Sequence, residues 1–535
     1  MKALTVLYGG GLAGQAFEEV LSGGESAFSL AFAAASRFPG SQKTVFFGLE
    51  GEDCPLPPGV EAVLRPGWTK KSLLEELSRL GGGEYHLYFA WSDCPLLDPV
   101  LADALSDRHV RYRAEYSYAD GWPYGFAPEI LSPGTAGILA KIAENDEGPV
   151  ERDALFSVVQ KDINSFDIET EISPVDLRPW RLNLAADSKR NLLLLTRLMG
   201  EGLSSAAEVE RFITEKPGLL RTLPAYFNIQ VSGACPQACS ICPWPLYGGD
   251  VTARKDFMPK AAFASLLDKI VDFAGDGVIG MSLWGELSLH PDRIELIEMV
   301  LARPSLSLVI ETSGVGWKTD ELEAVAAIAA KAAPAEVAAN AGSAAPGKKL
   351  SSLGCTAPLS WIVSLDAYES ERYREVRGPG FAEACSTAKT LLSLFPGDVY
   401  VQAVRVKGFE DDIEKFYRSW KTEGPSDGKH IIIQKYNDFA GVLPRLQASD
   451  LSPVKRRPCW HIRRDMNILI DGRVPSCRED LEALKGGGVW GNAFDEELSL
   501  IWERGEALYL EHCLPENKGI TGICANCDEY YTYNF

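Results

Sequence analysis

The stretch Asn228-Ile-Gln-Val-Ser-Gly-Ala-Cys235-Pro-Gln-Ala-Cys239-Ser-Ile-Cys242-Pro-Trp-Pro245 holds three cysteines at the spacing CxxxCxxC. An apolar run precedes them, which predicts a β-strand that ends just before the first cysteine. Three thiolates on one loop can bind three irons of a 4Fe–4S cluster and leave the fourth iron open to another ligand. The stretch therefore predicts a strand followed by an iron–sulfur loop, with Cys235, Cys239 and Cys242 as ligands.

Downstream of this loop, apolar runs alternate with segments of helix length. With the run before the cysteines they give six predicted strands, at 225–231, 278–284, 306–311, 359–365, 399–406 and 430–436. Six β/α units in succession predict a parallel sheet closed into a barrel or partial barrel. Ligands of such folds gather at the C-terminal ends of the strands, so polar residues that follow these runs are candidate site residues.

Polar residues do follow these strands. They are Gly285 and Glu286 after the second strand, Ser313 after the third, Ser364 and Asp366 at the end of the fourth, and Arg377 before a glycine shortly afterwards. Together with the cysteine loop, this order of motifs resembles the radical S-adenosylmethionine (SAM) enzymes, whose core is an open barrel of six β/α units. The resemblance implies that SAM binds the open iron and is cleaved by one electron from the cluster. The resulting 5′-deoxyadenosyl radical would abstract hydrogen from a substrate.

The resemblance also implies a role for each of these residues. Glu286 would accept hydrogen bonds from the SAM ammonium group, and Ser364 or Asp366 would contact the ribose. Arg377 would pair with the SAM carboxylate through charge-assisted hydrogen bonds. Ser313 lies in the place of the family's Thr-Asn-Gly segment.

Two positions depart from the family pattern. Ile241 stands where an aromatic residue usually packs on adenine, and Trp284 stands where the family has a glycine. For the cysteine loop alone a zinc site is the alternative, but zinc requires a fourth ligand close by, and residues 243–245 offer none. The later motifs in register favour the radical SAM interpretation.

A second group of cysteines lies near the C-terminus. The region from 451 has little regular periodicity, which is typical of a small domain held together by metal. Its motifs resemble the SPASM domain that follows some radical SAM cores. The resemblance implies a second, fully ligated 4Fe–4S cluster, and a zinc ribbon with the same thiolates is the alternative. Cys513 is an additional thiol that is either a bystander or an alternative ligand, and the expected ligands are Cys459, Cys477, Cys524 and Cys527.

Residues 1–200 alternate between predicted strands and helices, which indicates a largely parallel sheet covered by helices. A glycine-rich loop at 9–14 follows the first strand, and its backbone amides suit phosphate. The segments 91–99 and 176–188 resemble motifs of sugar-nucleotide cytidylyltransferases, in which the acid corresponding to Asp93 binds Mg²⁺. The resemblance implies a GT-A-like nucleotidyltransferase fold with a candidate Mg²⁺ at Asp93.

This region also departs from its family. Acidic residues follow the glycine loop in place of the family's Arg and Lys, and Ala185 stands where a second metal-binding Asp is expected, with Asp187 nearby. We therefore expect a retained fold that no longer transfers nucleotides, with a nucleotide or sugar nucleotide still a candidate ligand.

The composition excludes several classes of function. The formal net charge of −21 disfavours nucleic-acid binding, because phosphate contacts need a basic surface. The sequence has no signal peptide and no run of membrane-spanning length, which predicts a cytoplasmic protein without a membrane partner. Cysteines clustered in such a protein favour metal over disulfides. The remaining ones are expected to be neutral thiols, and they are Cys54, Cys94, Cys355 and Cys385.

The predicted organisation is an α/β chain with four parts. They are a cytidylyltransferase-like domain at 1–200, a linker at 201–222, a radical SAM core at 223–450 and a SPASM domain at 451–535. Within the core, the Ala-rich segment 324–347 is expected to be a helix that runs into a disordered insertion.

The predicted function is reductive cleavage of SAM and hydrogen abstraction from a peptide or a sugar- or envelope-linked substrate. The electron donor would be flavodoxin or ferredoxin. The alternative is a nucleotidyltransferase-like, sugar-nucleotide-binding protein in which the clusters are structural or regulatory.

Overall fold

The computed structural model describes residues 1–332, 358–425, 428–453, 455–514 and 518–532. The chain divides into two compact units, the first formed by Met1–Thr222 and the second beginning at Leu223. Each unit has its own seven-stranded sheet and its own core, and the fold is mixed α/β with largely parallel sheets. The predicted helix at the start of the Ala-rich segment is present over Thr319–Ala332. The rest of that segment, and Cys355, lie outside the described residues.

The sheet of the first unit has the strand order β3-β2-β1-β4-β6-β5-β7. Strand β1 is central and every one of its residues is buried, as its continuous apolar run predicts. Neighbouring strands are parallel except β6, which runs antiparallel to both β4 and β5. The strands are β1 Ala3–Tyr8, β2 Ser41–Leu49, β3 Glu61–Arg65, β4 His86–Trp91, β5 Tyr116–Asp120, β6 Glu129–Leu131 and β7 Ile168–Ile172.

Helices cover this sheet, and local sequence defines their ends. Helix α2 begins at a capping box, in which Thr69 Oγ1 accepts from the Ser72 amide at 3.2 Å and Ser72 Oγ accepts from the Thr69 amide at 2.8 Å. It ends at Gly82, whose φ of 55° is left-handed. The helices of this unit are α1 Ala27–Ala35, α2 Lys70–Gly81, α3 Pro99–Arg111, α4 Thr135–Ile142, α5 Ala154–Val159, α6 Lys189–Gly200 and α7 Val209–Glu215.

The sheet of the second unit has the order β13-β12-β11-β10-β9-β8-β14, and all of its neighbouring strands are parallel. The six predicted strands are present as β8 to β13. The seventh, β14, comes from the predicted C-terminal domain and pairs with β8. The strands are β8 Tyr226–Ile229, β9 Gly277–Gly280, β10 Leu306–Thr312, β11 Leu359–Ser364, β12 Val399–Arg405, β13 Ile431–Lys435 and β14 Asp465–Ile468.

The longer helices of the second unit each bury an apolar face. Helix α9, for example, buries Phe263, Leu266, Leu267 and Ile270, which recur at the helical period. The described helices are α8 Trp244–Tyr247, α9 Lys260–Ala274, α10 Arg293–Leu301, α11 Thr319–Ala332, α12 Ser370–Val376, α13 Phe381–Leu394, α14 Glu410–Glu423, α15 Trp460–Arg464, α16 Leu498–Arg504, α17 Glu506–Cys513 and α18 Ile523–Asn526. A two-stranded antiparallel ribbon adds β15 Arg473–Val474 and β16 Gly491–Asn492. Across the described ranges, no helix is both long and apolar enough to cross a bilayer.

Candidate functional site

The second unit contains a cavity of about 290 Å³ at the C-terminal ends of its strands. All nine residues predicted to bind the first cluster and SAM line it. They are Cys235, Cys239, Cys242, Gly285, Glu286, Ser313, Ser364, Asp366 and Arg377. The structure therefore brings together residues that span more than a hundred positions of sequence.

The cysteine loop is held in place by backbone hydrogen bonds. The Cys235 amide donates to the Val251 carbonyl at 3.0 Å, and the Ser240 amide donates to the Val376 carbonyl at 2.8 Å. A third bond joins the Cys242 amide to the Cys239 carbonyl at 3.2 Å. These backbone bonds hold the loop, and Cys239 Sγ also donates to the Arg377 carbonyl at 3.8 Å.

Burial raises the pKa of all three thiols, that of Cys235 to about 12. The positive charge of Arg377 acts in the opposite direction on each of them. Three neighbouring buried thiols ionise together only if a cation compensates them, so binding of iron would release their protons. This environment suits a cluster ligated by thiolates.

Glu286 connects the cysteine loop to the end of β10. Its backbone amide donates to the Ala234 carbonyl at 2.8 Å, directly before the first cysteine. Its carboxylate is 4% exposed and accepts hydrogen bonds from Thr312 Oγ1 at 2.6 Å and from the Ser313 amide at 2.7 Å. Burial raises its pKa, and these hydrogen bonds act in the opposite direction. The result is a fixed carboxylate at the cavity wall.

The two residues before Glu286 explain this close approach. Gly285 has a φ of 128°, and a Cβ there would lie 1.9 Å from the Ser232 carbonyl oxygen, so only glycine fits. Trp284, where the radical SAM resemblance expects a glycine, has a left-handed φ of 47°. Its carbonyl accepts from Gln230 Nε2 at 2.9 Å, and its ring packs near Phe439. These contacts hold a conformation that costs a non-glycine residue about 1–2 kcal/mol.

Asp366 and Arg377 are bonded to each other. Arg377 Nη1 donates to Asp366 Oδ2 at 2.5 Å, and Arg377 Nε donates to Gln237 Oε1 at 3.2 Å. Asp366 Oδ1 accepts from the Val404 amide at 2.8 Å. Gln237 lies within the cysteine loop, between the first two ligands, and was not predicted. Its position inside the motif is the only sequence signal that could have identified it.

Alternate residues of the strands face the cavity, as the two-residue period of a β-strand requires. Besides Asp465 on β14, the charged member of this set is Glu311 on β10. Its Oε1 accepts from Ser364 Oγ at 3.1 Å and from Gln402 Nε2 at 3.0 Å. Neither Gln402 nor Glu311 is among the site residues predicted from the sequence. The paired positions are Tyr226 and Asn228, Val309 and Glu311, Ile362 and Ser364, Gln402 and Val404, Ile432 and Gln434, and Asp465 and Asn467.

The four predicted C-terminal ligands line a second, small cavity of this unit. They are Cys459, Cys477, Cys524 and Cys527. His512 lines the same cavity, is 2% exposed, and neither of its ring nitrogens has a hydrogen-bond partner. Burial lowers its pKa to about 4, so the ring is neutral at pH 7 and keeps one N–H to donate. Four thiols and an unpaired buried donor suit a group that carries acceptor sulfurs.

The other cysteines have different surroundings. Cys513 packs in the apolar cluster around Tyr509, and burial raises its pKa to about 11. Cys54, Cys94 and Cys385 are fully or partly buried thiols with raised pKa values, as expected. Among the described residues, no three His, Cys, Asp or Glu side chains converge on a single metal ion. A 4Fe–4S cluster does not require such convergence, since each thiolate binds a different iron.

The Mg²⁺ ligand predicted in the first unit has different surroundings. Both carboxylate oxygens of Asp93 accept hydrogen bonds from Arg152, which also reaches Asp187. A guanidinium group thus lies where the cytidylyltransferase resemblance places a metal ion. These residues do not fit Mg²⁺, and the prediction of Mg²⁺ at Asp93 is not supported.

Comparison with known proteins adds a relative. No protein-family model matches the chain. An uncharacterized protein of Treponema pallidum (strain Nichols) is 34% identical over 388 residues, which cover 71% of this chain and 98% of that protein. The chain belongs to the family of this treponemal protein. The family relationship brings no activity with it, because that relative is itself uncharacterized.

Solved structures also resemble the chain. One is BtrN in complex with AdoMet and 2-DOIA, with 14% identity and a TM-score of 0.35 over 58% of this chain and 97% of that one. Another is Streptococcus suis SuiB bound to the precursor peptide SuiA, with 14% identity and a TM-score of 0.41 over 74% and 84% of the two chains. Likenesses at these scores and identities do not establish an activity, which has to be inferred from the site.

Proposed function

We propose that this protein is a radical SAM enzyme with an auxiliary iron–sulfur cluster. The observation that carries the proposal is the meeting of three cysteine thiols, the buried Glu286 carboxylate and the Arg377 guanidinium in one cavity of the second unit. The backbone bond between Glu286 and Ala234 ties the acid to the cysteine loop. The Glu286 carboxylate and the Arg377 guanidinium group lie beside the cysteine thiols. They are complementary in charge to the ammonium and carboxylate groups of an amino acid such as the methionine part of SAM.

Each group has a defined task in this proposal. Cys235, Cys239 and Cys242 would hold three irons of a 4Fe–4S cluster, which when bound supplies the electron that cleaves SAM. Glu286 would hold the SAM ammonium group. Arg377 has five N–H donors, of which the bonds to Asp366 and Gln237 use two, so it can also bind a carboxylate.

Residues around these groups would orient the nucleoside. Ser313 fixes Glu286 through its amide and borders the cavity. Ser364 and Asp366 would lie near the ribose, and Ile241 would cover the adenine ring with an aliphatic side chain. Because the Ser364 hydroxyl already donates to Glu311, its contribution to a ribose would be as an acceptor.

The C-terminal thiols would hold a second 4Fe–4S cluster, in the manner of a SPASM domain within 451–535. The support for this is that all four thiols line one cavity and that His512 presents unpaired ring nitrogens there. An N–H donor next to a cluster sulfide stabilises the reduced state, since it compensates added negative charge. The second cluster would then relay an electron or bind substrate.

The substrate would be polar, because amide and carboxylate side chains border the cavity. Glu311, Gln402, Asn228 and Asn437 present hydrogen-bonding groups to it. A peptide or a sugar- or envelope-linked molecule offers the complementary amide or hydroxyl groups. The electron donor would be flavodoxin or ferredoxin, and the reducing cytoplasm would keep the thiols available for iron.

Anaerobic reconstitution tests the proposal. The wild-type chain should bind about eight irons if both sites hold 4Fe–4S clusters, and with dithionite and SAM it should release 5′-deoxyadenosine. Cys239→Ser should abolish that release and lower the iron to about four per chain. Cys385→Ser, a thiol of the same unit outside both cavities, is the matched control and should behave as wild type. Binding of zinc without cleavage of SAM would refute the proposal.

A further inference from the structure

A carboxylate at the end of β4 in the first unit is neutralised by an arginine. Asp93 is 1% exposed, and its two oxygens accept a bidentate pair from Arg152, at 2.7 Å to Nη1 and 2.5 Å to Nη2. Bidentate pairing fixes both the position and the orientation of the guanidinium plane. Asp93 therefore already has a cationic partner supplied by the chain.

The second acid of this cluster is also fully engaged. Asp187 Oδ1 accepts from Asn191 Nδ2 at 2.7 Å, and Asp187 Oδ2 accepts from Asn183 Nδ2 at 3.0 Å and from Arg152 Nη2 at 3.4 Å. All four oxygens of the two acids thus have hydrogen-bond donors. A metal ion would have to displace several of these donors to be ligated by both carboxylates.

The guanidinium is held from its faces as well. Its central carbon lies 4.1 Å from the centroid of the Trp91 ring and 5.5 Å from that of Tyr124. Arginine does not lose its proton in proteins, so this charge is permanent. A divalent cation beside Asp93 would meet a fixed like charge at hydrogen-bonding distance from its ligands.

The glycine-rich loop of the same unit gives an independent indication. Burial raises the pKa of Glu52, and the nearby backbone amides of Leu49 and Gly11 act in the opposite direction. An acidic side chain therefore lies beside a loop amide that a phosphate would need. A nucleoside triphosphate would encounter a negative charge at this loop and would lack the metal ion that normally neutralises its phosphates.

We propose that Arg152 is a built-in cation that takes the place of a divalent metal ion in the first unit. Asp93 and Asp187 then bind no Mg²⁺ or Mn²⁺, and the unit performs no metal-dependent nucleotidyl transfer. Every carboxylate oxygen of the cluster has a hydrogen-bond donor from the chain, so the arrangement is complete without a metal. This inference does not depend on the radical SAM proposal, which concerns other residues.

Titration of the reconstituted full chain with Mn²⁺, followed by the electron paramagnetic resonance signal of free Mn²⁺, tests the proposal. The wild type and Asp93→Asn should bind the same number of Mn²⁺ ions, because no ion is ligated at this position. Arg152→Ala should bind one additional Mn²⁺ per chain, since two buried carboxylates then lack a cation. The double variant Arg152→Ala/Asp93→Asn should lose that additional site.

The outcomes that would overturn the proposal are specific. One is a Mn²⁺ bound by the wild type and lost in Asp93→Asn. Another is pyrophosphate release from CTP and sugar phosphates that requires Mg²⁺ and Asp93. A folded Arg152→Ala chain that gains no Mn²⁺ site would also contradict it. If Arg152→Ala does not fold, the comparison of wild type with Asp93→Asn still decides.

Discussion

The cysteine loop of the second unit and the acidic pair of the first unit both contain residue types that bind metal. Their surroundings differ in one respect. Cys239 is buried, Cys235 and Cys242 are partly buried, and all three thiols border a cavity with Arg377 as a nearby positive charge. The oxygens of Asp93 and Asp187 are all occupied by donors from the same chain. A set of ligand-type residues therefore indicates a site only where the fold leaves their charge or hydrogen bonds unsatisfied.

Substitution of a C-terminal cysteine should have the largest effect of the changes considered, namely the loss of a whole cluster. If these cysteines hold a second cluster, Cys477→Ser should lower the iron content from about eight to about four per chain, since that cluster then loses one of its four thiolate ligands. Iron and sulfide assays after anaerobic reconstitution measure this. Cys513→Ser is the matched control and should keep all of the iron. A loss of iron in that control would identify Cys513 as a ligand and contradict its placement among apolar residues.

Removal of the compensating charge in the first unit should destabilise it. Arg152→Ala leaves Asp93 buried without a cation, which costs about 3–5 kcal/mol. Arg178→Ala removes an exposed arginine that also pairs with two acids, and it should cost no more than about 1 kcal/mol. Urea denaturation followed by tryptophan fluorescence compares the two. Equal losses of stability would mean that Arg152 is no more than a surface partner.

Removal of the negative charge of Glu286, beside the cysteine loop, should lower the affinity for SAM rather than the stability of the fold. Glu286→Gln keeps the shape and loses the charge-assisted bond to the SAM ammonium, worth about 1.5–3 kcal/mol or about 10- to 100-fold in affinity. Calorimetric titration with SAM measures this on chains of equal iron content. Glu298→Gln, an exposed position on α10, should bind as wild type. An unchanged affinity in Glu286→Gln would remove the ammonium-binding role from this residue.

Glu129 is a partly buried carboxylate whose hydrogen-bond partner is neutral, in contrast to Asp93, which is paired with an arginine. Glu129 accepts a hydrogen bond from the Tyr116 hydroxyl, and burial raises its pKa to about 7. Between its unfolded pKa and pH 7 the folded chain holds the extra proton, so stability falls as pH rises through this window. Above pH 7 we expect the free energy of unfolding of Glu129→Gln to be about 1 kcal/mol higher than that of the wild type. This figure allows for the partial exposure of Glu129 to solvent.

Urea denaturation at pH 5 and at pH 8 measures this difference. The increase in the free energy of unfolding caused by Glu129→Gln should be small at pH 5 and should approach its full value at pH 8. A gain of the same size at both values would show that Glu129 is ionised throughout.

Much of the second unit follows from short-range sequence patterns. The six strands β8 to β13 were predicted from their apolar runs, and the candidate site residues from their places just after those runs. Strand β14 was not assigned, because four buried residues among cysteine motifs give too short a signal. Trp284 has a left-handed φ of 47°, a backbone conformation that a tryptophan in the sequence does not indicate.

The sequence by itself determined which residues carry ligand chemistry and in what order they follow the strands, because spacing and strand period are local properties. Only the tertiary structure decided which of them have charged partners. Arg152 lies 59 residues from Asp93, and Gln237 lies 140 residues from Arg377, so neither pairing has a local pattern. Electrostatic compensation depends on distances in space. For that reason the cysteines at 235–242 border a cavity, whereas both carboxylate oxygens of Asp93 are already bonded to Arg152.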